Sequence, residues 1–437
     1  MREGCPLTAG SAAARLRLAP FAGGPLGAYT RLNKKAAPGR HLTVPPAARE
    51  ALAAIGRLDW GCLSFRQGAS FLVRSLILCA GLCLSIGVPG PLHSQARPEL
   101  LWELGRIEGP AHEMFEYLSD GAIVDSTIVV VAGRGDLRRY DLRGGFLGWV
   151  GRSGEGPGEF QGVSRLRVYS DTIEVYDPFQ GRTVLFGVDG ATIETISNWS
   201  GAEGASMMGR VSPVWRKAGV GTVPVLMTPE IVDLLTILVK MREGGARDTL
   251  TVIPSLSAMF RFNENTILTG TPAEYGMGPA GGFEVLGDSF LALLDGESGR
   301  MKIYEGEDLA LRSQWALPTS YLPVDEETRG LMVAAVKARF DNDPRIRDIR
   351  VPDHWASWTG MEDGRDGSIW IRRGGPDHST FLGESEEWVQ WTLEGRQQNA
   401  VELPAGIEGL AFADALILAR RTDEFDVHYL QLYEVRR

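Results

Sequence analysis

Cysteine and histidine are scarce in this 437-residue chain, and long helical patterns are rarer still. The four cysteines, Cys5, Cys62, Cys79 and Cys83, all lie before residue 96, so no disulfide framework can staple the rest of the chain. Four of the six histidines fall beyond that point, at His112, His354, His378 and His428. They are too scattered to offer a zinc-ligand pair. No G-x-S-x-G elbow occurs and no Ser, His and Asp arrangement stands out, which leaves hydrolysis by a triad without support. Basic charge is also in short supply once the N-terminal segment is set aside. Of 45 Lys and Arg against 55 Asp and Glu, residues 1–96 hold eleven of the basic and three of the acidic ones, leaving 34 against 52 and a formal net of −18. An acidic body of that kind lacks the electrostatic footprint of a nucleic-acid-binding protein.

What the chain has in quantity is turn residues, 54 Gly and 24 Pro. Short apolar runs between turn signals read as an all-β chain, long enough to bury a sizeable core. The first 96 residues stand apart. From Arg66 the chain runs RQGASFLVRSLILCAGLCLSIGVPGPLHSQARPE: basic residues, an apolar stretch from Leu76 to Val88, helix breakers, then small side chains at Ser94 and Ala96. That three-part order predicts a signal peptide over 66–96, cleaved after Ala96, and hence a protein exported to the periplasm or beyond the cell with no stable membrane span. Residues 1–65 are either a disordered or targeting leader or the product of a start assigned too far upstream, and do not enter the fold.

After residue 96 one scheme recurs. Trp149 to Phe160, WVGRSGEGPGEF, drops from a strand-like run into four glycines and a proline, a turn joining two repeating units. Asp or Gly turns precede hydrophobic strands near 126, 171, 221, 287, 367 and 414, giving six units whose spacing is stretched by inserted loops. Residues 97–437 are therefore predicted to form a six-bladed β-propeller of four-stranded antiparallel blades. Trp102–Ile107 has no partner in the first unit, so it is expected to complete the last blade and close the ring. One helix is predicted over Asp325–Phe340, as a lid or as cover for a blade edge, and 258–277 is the stretch hardest to place.

WVGRSGEGPGEF, DTIEVYDPFQGRTVLF and the ending LARRTDEFDVHYLQLYEV resemble the six-bladed β-propeller family of exported bacterial proteins, related in build to NHL-repeat and TolB-like propellers. The resemblance implies fold and export, and carries no catalytic set.

Candidate binding residues cluster at the glycine turn: Arg152, Glu155 and Glu159, with Arg165 and Arg182 further along, placed to hold a polar ligand at the channel mouth or else to satisfy a tight inter-blade turn. Asp125, Asp171 and Asp288 flank strand starts in different units and are candidates to hold a divalent metal in the channel; they are equally good turn residues. Trp388 and Trp391 read as packing. Two functions are compatible with this pattern. The first is a non-enzymatic, monomeric exported propeller that binds a protein, peptide or glycan without a cofactor; the alternative is a metal-dependent, lactonase-like hydrolase or lyase with its site in the channel.

Overall fold

The computed structural model describes residues 95–163, 165–197, 212–227, 233–242, 246–255, 258–263, 266–270, 281–296, 298–339, 347–378 and 384–436. The leader and most of the signal segment lie outside them.

The described chain opens on β1, Gln95–Leu104. The first sheet is built from β2 (Leu118–Val124), β3 (Thr127–Ala132), β4 (Leu137–Asp141) and β5 (Phe146–Ser153), with the two-residue β6 (Glu159–Phe160) alongside in parallel. The second sheet is β7 (Arg165–Tyr169), β8 (Thr172–Asp177), β9 (Arg182–Gly187) and β10 (Thr192–Ser197); the third is β11 (Ser212–Trp215), β12 (Val220–Met227), β13 (Asp233–Met241) and β14 (Arg247–Ser255). After a hairpin of β15 (Ala258–Asn263) and β16 (Thr266–Gly270) comes the fourth sheet, β17 (Gly282–Leu286), β18 (Phe290–Asp295), β19 (Arg300–Glu305) and β20 (Ala310–Ala316). Helix α1 (Glu326–Arg339) leads to β21 (Arg347–Arg350), which returns to pair with β15. The fifth sheet is β22 (Trp358–Asp363), β23 (Ser368–Arg373), β24 (Glu386–Thr392) and β25 (Gln397–Leu403). β26 (Ile407–Ala413), β27 (Leu416–Thr422) and β28 (His428–Arg436) make the last.

Strand order within each of these sheets follows chain order, the pattern of an antiparallel meander. Recurrence of one local conformation explains the repeated Asp and Gly signals. The turn after the first strand of a sheet carries a left-handed residue each time: Asp125 at φ 51°, Ser170 at 55°, Gly219 at 66°, Gly287 at 56°, Arg365 at 61° and Asp414 at 51°. Tight hairpins need such a residue to match strand twist, and Gly, Asn and Asp adopt it at least cost. The sequence units were therefore set one strand late, because each turn follows the inner strand instead of opening the unit. No strand was expected at β2, β11, β17, β22 or β26, and the strand start expected near 287 is a turn followed by β18.

The sheets pack face on face in a ring. Val131 and Leu137 of the first sheet meet Ile173 and Val184 of the second. Tyr169 of the second leans on Val214, Trp215 and Leu238 of the third, which in turn pack on Val285 and Leu291 of the fourth. Met301 and Ile303 meet Ile369 and Val389 of the fifth, and Trp370 and Val401 meet Phe412 and Ile417 of the last. Leu418 and Leu430 return to Ile128 and Val130 of the first. An all-β chain of face-packed antiparallel meanders with a closed circuit of cores is propeller-like, and no sheet alone buries both its faces.

Closure uses β1. It pairs antiparallel with β28 from Arg97↔Arg436 to Leu104↔Leu430, with an irregularity between Leu100 and Trp102. The Trp102 indole N–H then donates to the Leu142 carbonyl at 2.8 Å, fastening the strand to the first sheet. Without β1 the edge of β28 would stand unpaired. The strand starts earlier than expected, since Gln95 and Ala96 pair in parallel with Ala400 and Val401 of β25, so the expected cleavage point falls inside it.

Helix α1 is capped by Asp325, whose Oδ1 accepts the Thr328 N–H at 2.7 Å. Its buried Met332 and Ala335 pack on Val324, Val351 and Trp355, a satellite core made by the insertion's own flanks. Leu331 faces solvent, and Phe340 lies outside the described residues. Among the described residues no helix is long and apolar enough to cross a membrane.

Candidate functional site

The glycine turn shows what its charged residues do. Gly154 and Gly158 take left-handed φ of 155° and 73°. Gly151 serves close approach instead: a Cβ there would stand 2.5 Å from the ring of Phe160, which is fully buried between the first two sheets. Glu159 accepts from Arg152 at 2.7–2.8 Å through Oε1 and from the Gly156 N–H at 2.9 Å through Oε2. That amide and the guanidinium hold its carboxyl below the usual range. Arg182 donates to the carbonyls of Gly156, at 2.8 Å, and Glu159, while Glu155 accepts from the Gln161 side chain at 2.7 Å. Arg152, Glu155, Glu159 and Arg182 thus share one neighbourhood and the bonds they make shape the turn, although Arg182 Nε is buried without a partner. Asp177, fully buried, starts the next turn by accepting the N–H groups of Gln161, Phe179 and Gln180.

Arg165 is elsewhere. It sits on β7, an inner strand, donating from Nη1 to the Pro213 carbonyl at 2.8 Å and lying 5.6 Å from the Phe283 ring. Burial, with Arg167 close by, lowers its pKa to about 10. Here the inner strands converge on a cavity of about 60 Å³, lined from five sheets by Gly121, Arg167, Tyr169, Glu284, Glu362 and Phe412 among others. The room is that of a few waters or one small solute.

Charged side chains lace this centre together. Asp120 accepts the N–H groups of Gly121 and Leu166, each at 2.8 Å, joining the first sheet to the second. Asp363 accepts from Gly287 N at 2.8 Å and Arg365 N at 3.0 Å, joining the fifth to the fourth. Arg365 reaches from the fifth sheet to the second, its guanidinium 3.5 Å from the Val168 carbonyl and 3.3 Å from that of Ser170. Arg167, 8 % exposed, lies 3.6 Å from Glu284 of the fourth sheet.

Three groups are left over. Arg167 Nη1 and the Tyr169 hydroxyl are buried without a well-formed hydrogen bond, the two side chains lying close enough to interact with each other. Glu362, half-buried at the cavity wall, makes no side-chain hydrogen bond or ion pair among the described residues. Burial, then Glu284, Asp120 and Asp363 beside it, push its carboxyl well above the carboxylate range. Burial also raises Asp120 to about 6 and Tyr169 to about 12, and lifts Glu284 and Asp363. Arg167 is pulled down by burial, but Glu284, Tyr169 and Glu174 more than offset this and keep it charged.

The aspartates proposed for a metal are turn residues. Asp125 and Asp171 are exposed, and Asp288 takes Lys217 at 3.3 Å and its neighbour Ser289. Among the described residues no three His, Cys, Asp or Glu side chains gather in a group able to hold a metal ion. Trp388 and Trp391 are buried, as read from sequence.

No family model matches the sequence, and no curated protein matches it. Among solved structures, a Bacteroides fragilis protein described as a candidate exported protein is similar at 10 % identity and a TM-score of 0.42, covering 80 % of this chain and 98 % of its own. A DUF4221-family member from Bacteroides vulgatus matches at 9 % identity and 0.40, covering 79 % and 99 %. The Swd1 β-propeller domain of Myceliophteria thermophila matches at 10 % and 0.34, covering 78 % and 100 %. Likeness at these scores is loose, and the fold rests on the sheet order and the circuit of cores.

The sequence had not pointed to Asp120, Arg167, Glu284, Glu362, Asp363 or Arg365. The available signal was a charged residue within the short run before each Asp or Gly turn: LSDGAIVD, FEVLGD, GMEDGRDG.

Proposed function

We propose that this chain is an exported six-bladed β-propeller, of the NHL-repeat or TolB-like build, that acts as a non-enzymatic binding protein through its central channel. The observation that carries the reading is the cavity where five sheets meet with Arg167 Nη1, Tyr169 Oη and Glu362 short of a well-formed hydrogen bond. Buried polar groups without partners are destabilising, and a fold retains them where something else completes them. Export rests on the predicted signal segment. Six blades is the count obtained when β1 serves as the outer strand of the last sheet and the β15, β16, β21 sheet is an insertion. In this reading Arg165 belongs to the site, and Arg152, Glu155, Glu159 and Arg182 hold the inter-blade turn.

Asp120, Glu284, Glu362 and Asp363 lie around the cavity, the residue type a metal-dependent hydrolase or lyase would use, although among the described residues no three of them gather in a group able to hold a metal ion. Arg165, Arg167 and Arg365 stand among them and oppose a bare divalent cation, which favours the binding reading. Metal analysis of protein purified without chelator, with the thermal midpoint measured with and without EDTA, separates the two. A metal-free, chelator-indifferent protein is expected. A stoichiometric metal with a chelator-sensitive midpoint overturns the binding reading in favour of the enzyme.

A further inference from the structure

The cavity's three groups without a well-formed hydrogen bond are of opposite kinds, and that constrains what fits. Arg167 Nη1 is an obligate donor on a buried guanidinium, and the Tyr169 hydroxyl beside it is a second donor. Glu362 faces the same space from the fifth sheet and would accept. An apolar solute would leave all three unmet, and burying them dry is unfavourable. A simple anion would answer Arg167 but sit among Asp120, Glu284, Glu362 and Asp363. A simple cation would answer Glu362 but face Arg165, Arg167 and Arg365.

We propose that the channel cavity binds a small zwitterion, of which an α-amino acid is the simplest, its carboxylate held by Arg167 Nη1 and the Tyr169 hydroxyl and its ammonium by Glu362. The proposal rests on reading the cavity as the ligand site. Each end of such a solute completes a group that the fold leaves open, and the small volume sets a limit near the size of the free amino acid. Arg365 supplies the entrance. Its contacts to the Val168 and Ser170 carbonyls, at 3.5 and 3.3 Å, are long, and rotation of one side chain releases them without disturbing a strand. Glu362 also gives the event a signature. Its carboxyl holds its proton tightly beside Glu284, Asp120 and Asp363, so an ammonium arriving there favours the ionised form and a proton leaves to buffer.

The test is calorimetry and thermal midpoint on the purified protein with glycine, alanine, glutamate and lysine as probes, and with acetate, methylammonium and glycerol as single-function controls. At least one amino acid is expected to raise the midpoint while the controls leave it unchanged, with proton release in buffers of differing ionisation enthalpy. Glu362→Gln, which changes no bond within the described fold, should keep its unligated midpoint, weaken binding by about tenfold or more and abolish the proton release. Arg167→Lys should weaken it too; because that variant can misfold, Glu362→Gln is the deciding one. Acetate or methylammonium matching the amino acids, or Glu362→Gln binding them as wild type does, overturns the zwitterion. Stabilisation by glycerol or a peptide but by no amino acid sinks this inference and leaves the binding protein standing. A chelator-sensitive metal sinks both.

Discussion

Two groups of charged residues, one at the glycine turn and one in the channel, have similar composition and opposite roles. At the turn, Arg152, Glu159 and Arg182 meet backbone groups and one another, with Arg152 largely in solvent and one buried atom, Arg182 Nε, left without a partner. In the channel, Arg167 Nη1 and the Tyr169 hydroxyl are buried without a well-formed hydrogen bond, and half-buried Glu362 makes no side-chain bond among the described residues. An exposed carboxylate that accepts an amide is cheap to keep and serves shape. A desolvated one without a partner destabilises the fold that carries it. Charge in a sequence does not separate these cases; burial and bonding do.

The comparison breaks first at Phe160, the apolar anchor of the turn. Phe160→Ala should destabilise by about 3–5 kcal/mol in denaturant unfolding, because a fully buried ring between two sheets leaves a cavity that strands cannot close. Replacing Arg182 by Met should lose about 1–3 kcal/mol by leaving the Gly156 carbonyl short of its donor and the Glu159 carbonyl with only the longer bond from Gln180, at 3.3 Å. A pH series sharpens the channel side. Asp120, Glu284, Glu362 and Asp363 have raised values when folded, so their stabilising contribution is full below their unfolded values and is lost as pH rises through the folded ones. The thermal midpoint should therefore climb as pH falls from 7 toward about 4, across the window between the ordinary aspartate value of 3.8 and the Asp120 value of about 6. The smallest effect belongs to Arg152→Ala, which removes an exposed ion pair and should leave the midpoint unchanged within error, since solvent screens such pairs.

Much of the architecture was legible in the sequence because it is written in turns. Asp and Gly at the left-handed positions recur where strand twist demands them, so the repeat, the glycine turn and the closing role of the N-terminal strand could be read. Inner strands were harder. LSDGAIV, GFEVL and WTGMED interrupt their apolar residues with acids and glycines, because one stretch of each faces the channel, and the hydrophobic pattern that identifies a strand is diluted there. That same dilution is the trace of the candidate site, so the residues that lower strand signal are the ones that line the cavity. The turn charges drew notice instead because three of them, Arg152, Glu155 and Glu159, fall close together in sequence, whereas the charged residues of the channel are spread between 120 and 365 and meet only when the ring closes. The 258–277 stretch was blurred for another reason: β15 finds its second partner in β21, more than eighty residues later.

The measurement that bears most directly on the difference between the two groups is the unfolding free energy of Glu362→Gln at neutral pH without ligand. If the channel charges are held for a ligand and not for the fold, the variant should equal or exceed wild type, because the fold no longer has to hold a proton on a carboxyl crowded by three others. A loss comparable to that of Arg182→Met would contradict the account and make Glu362 a structural residue like those of the turn.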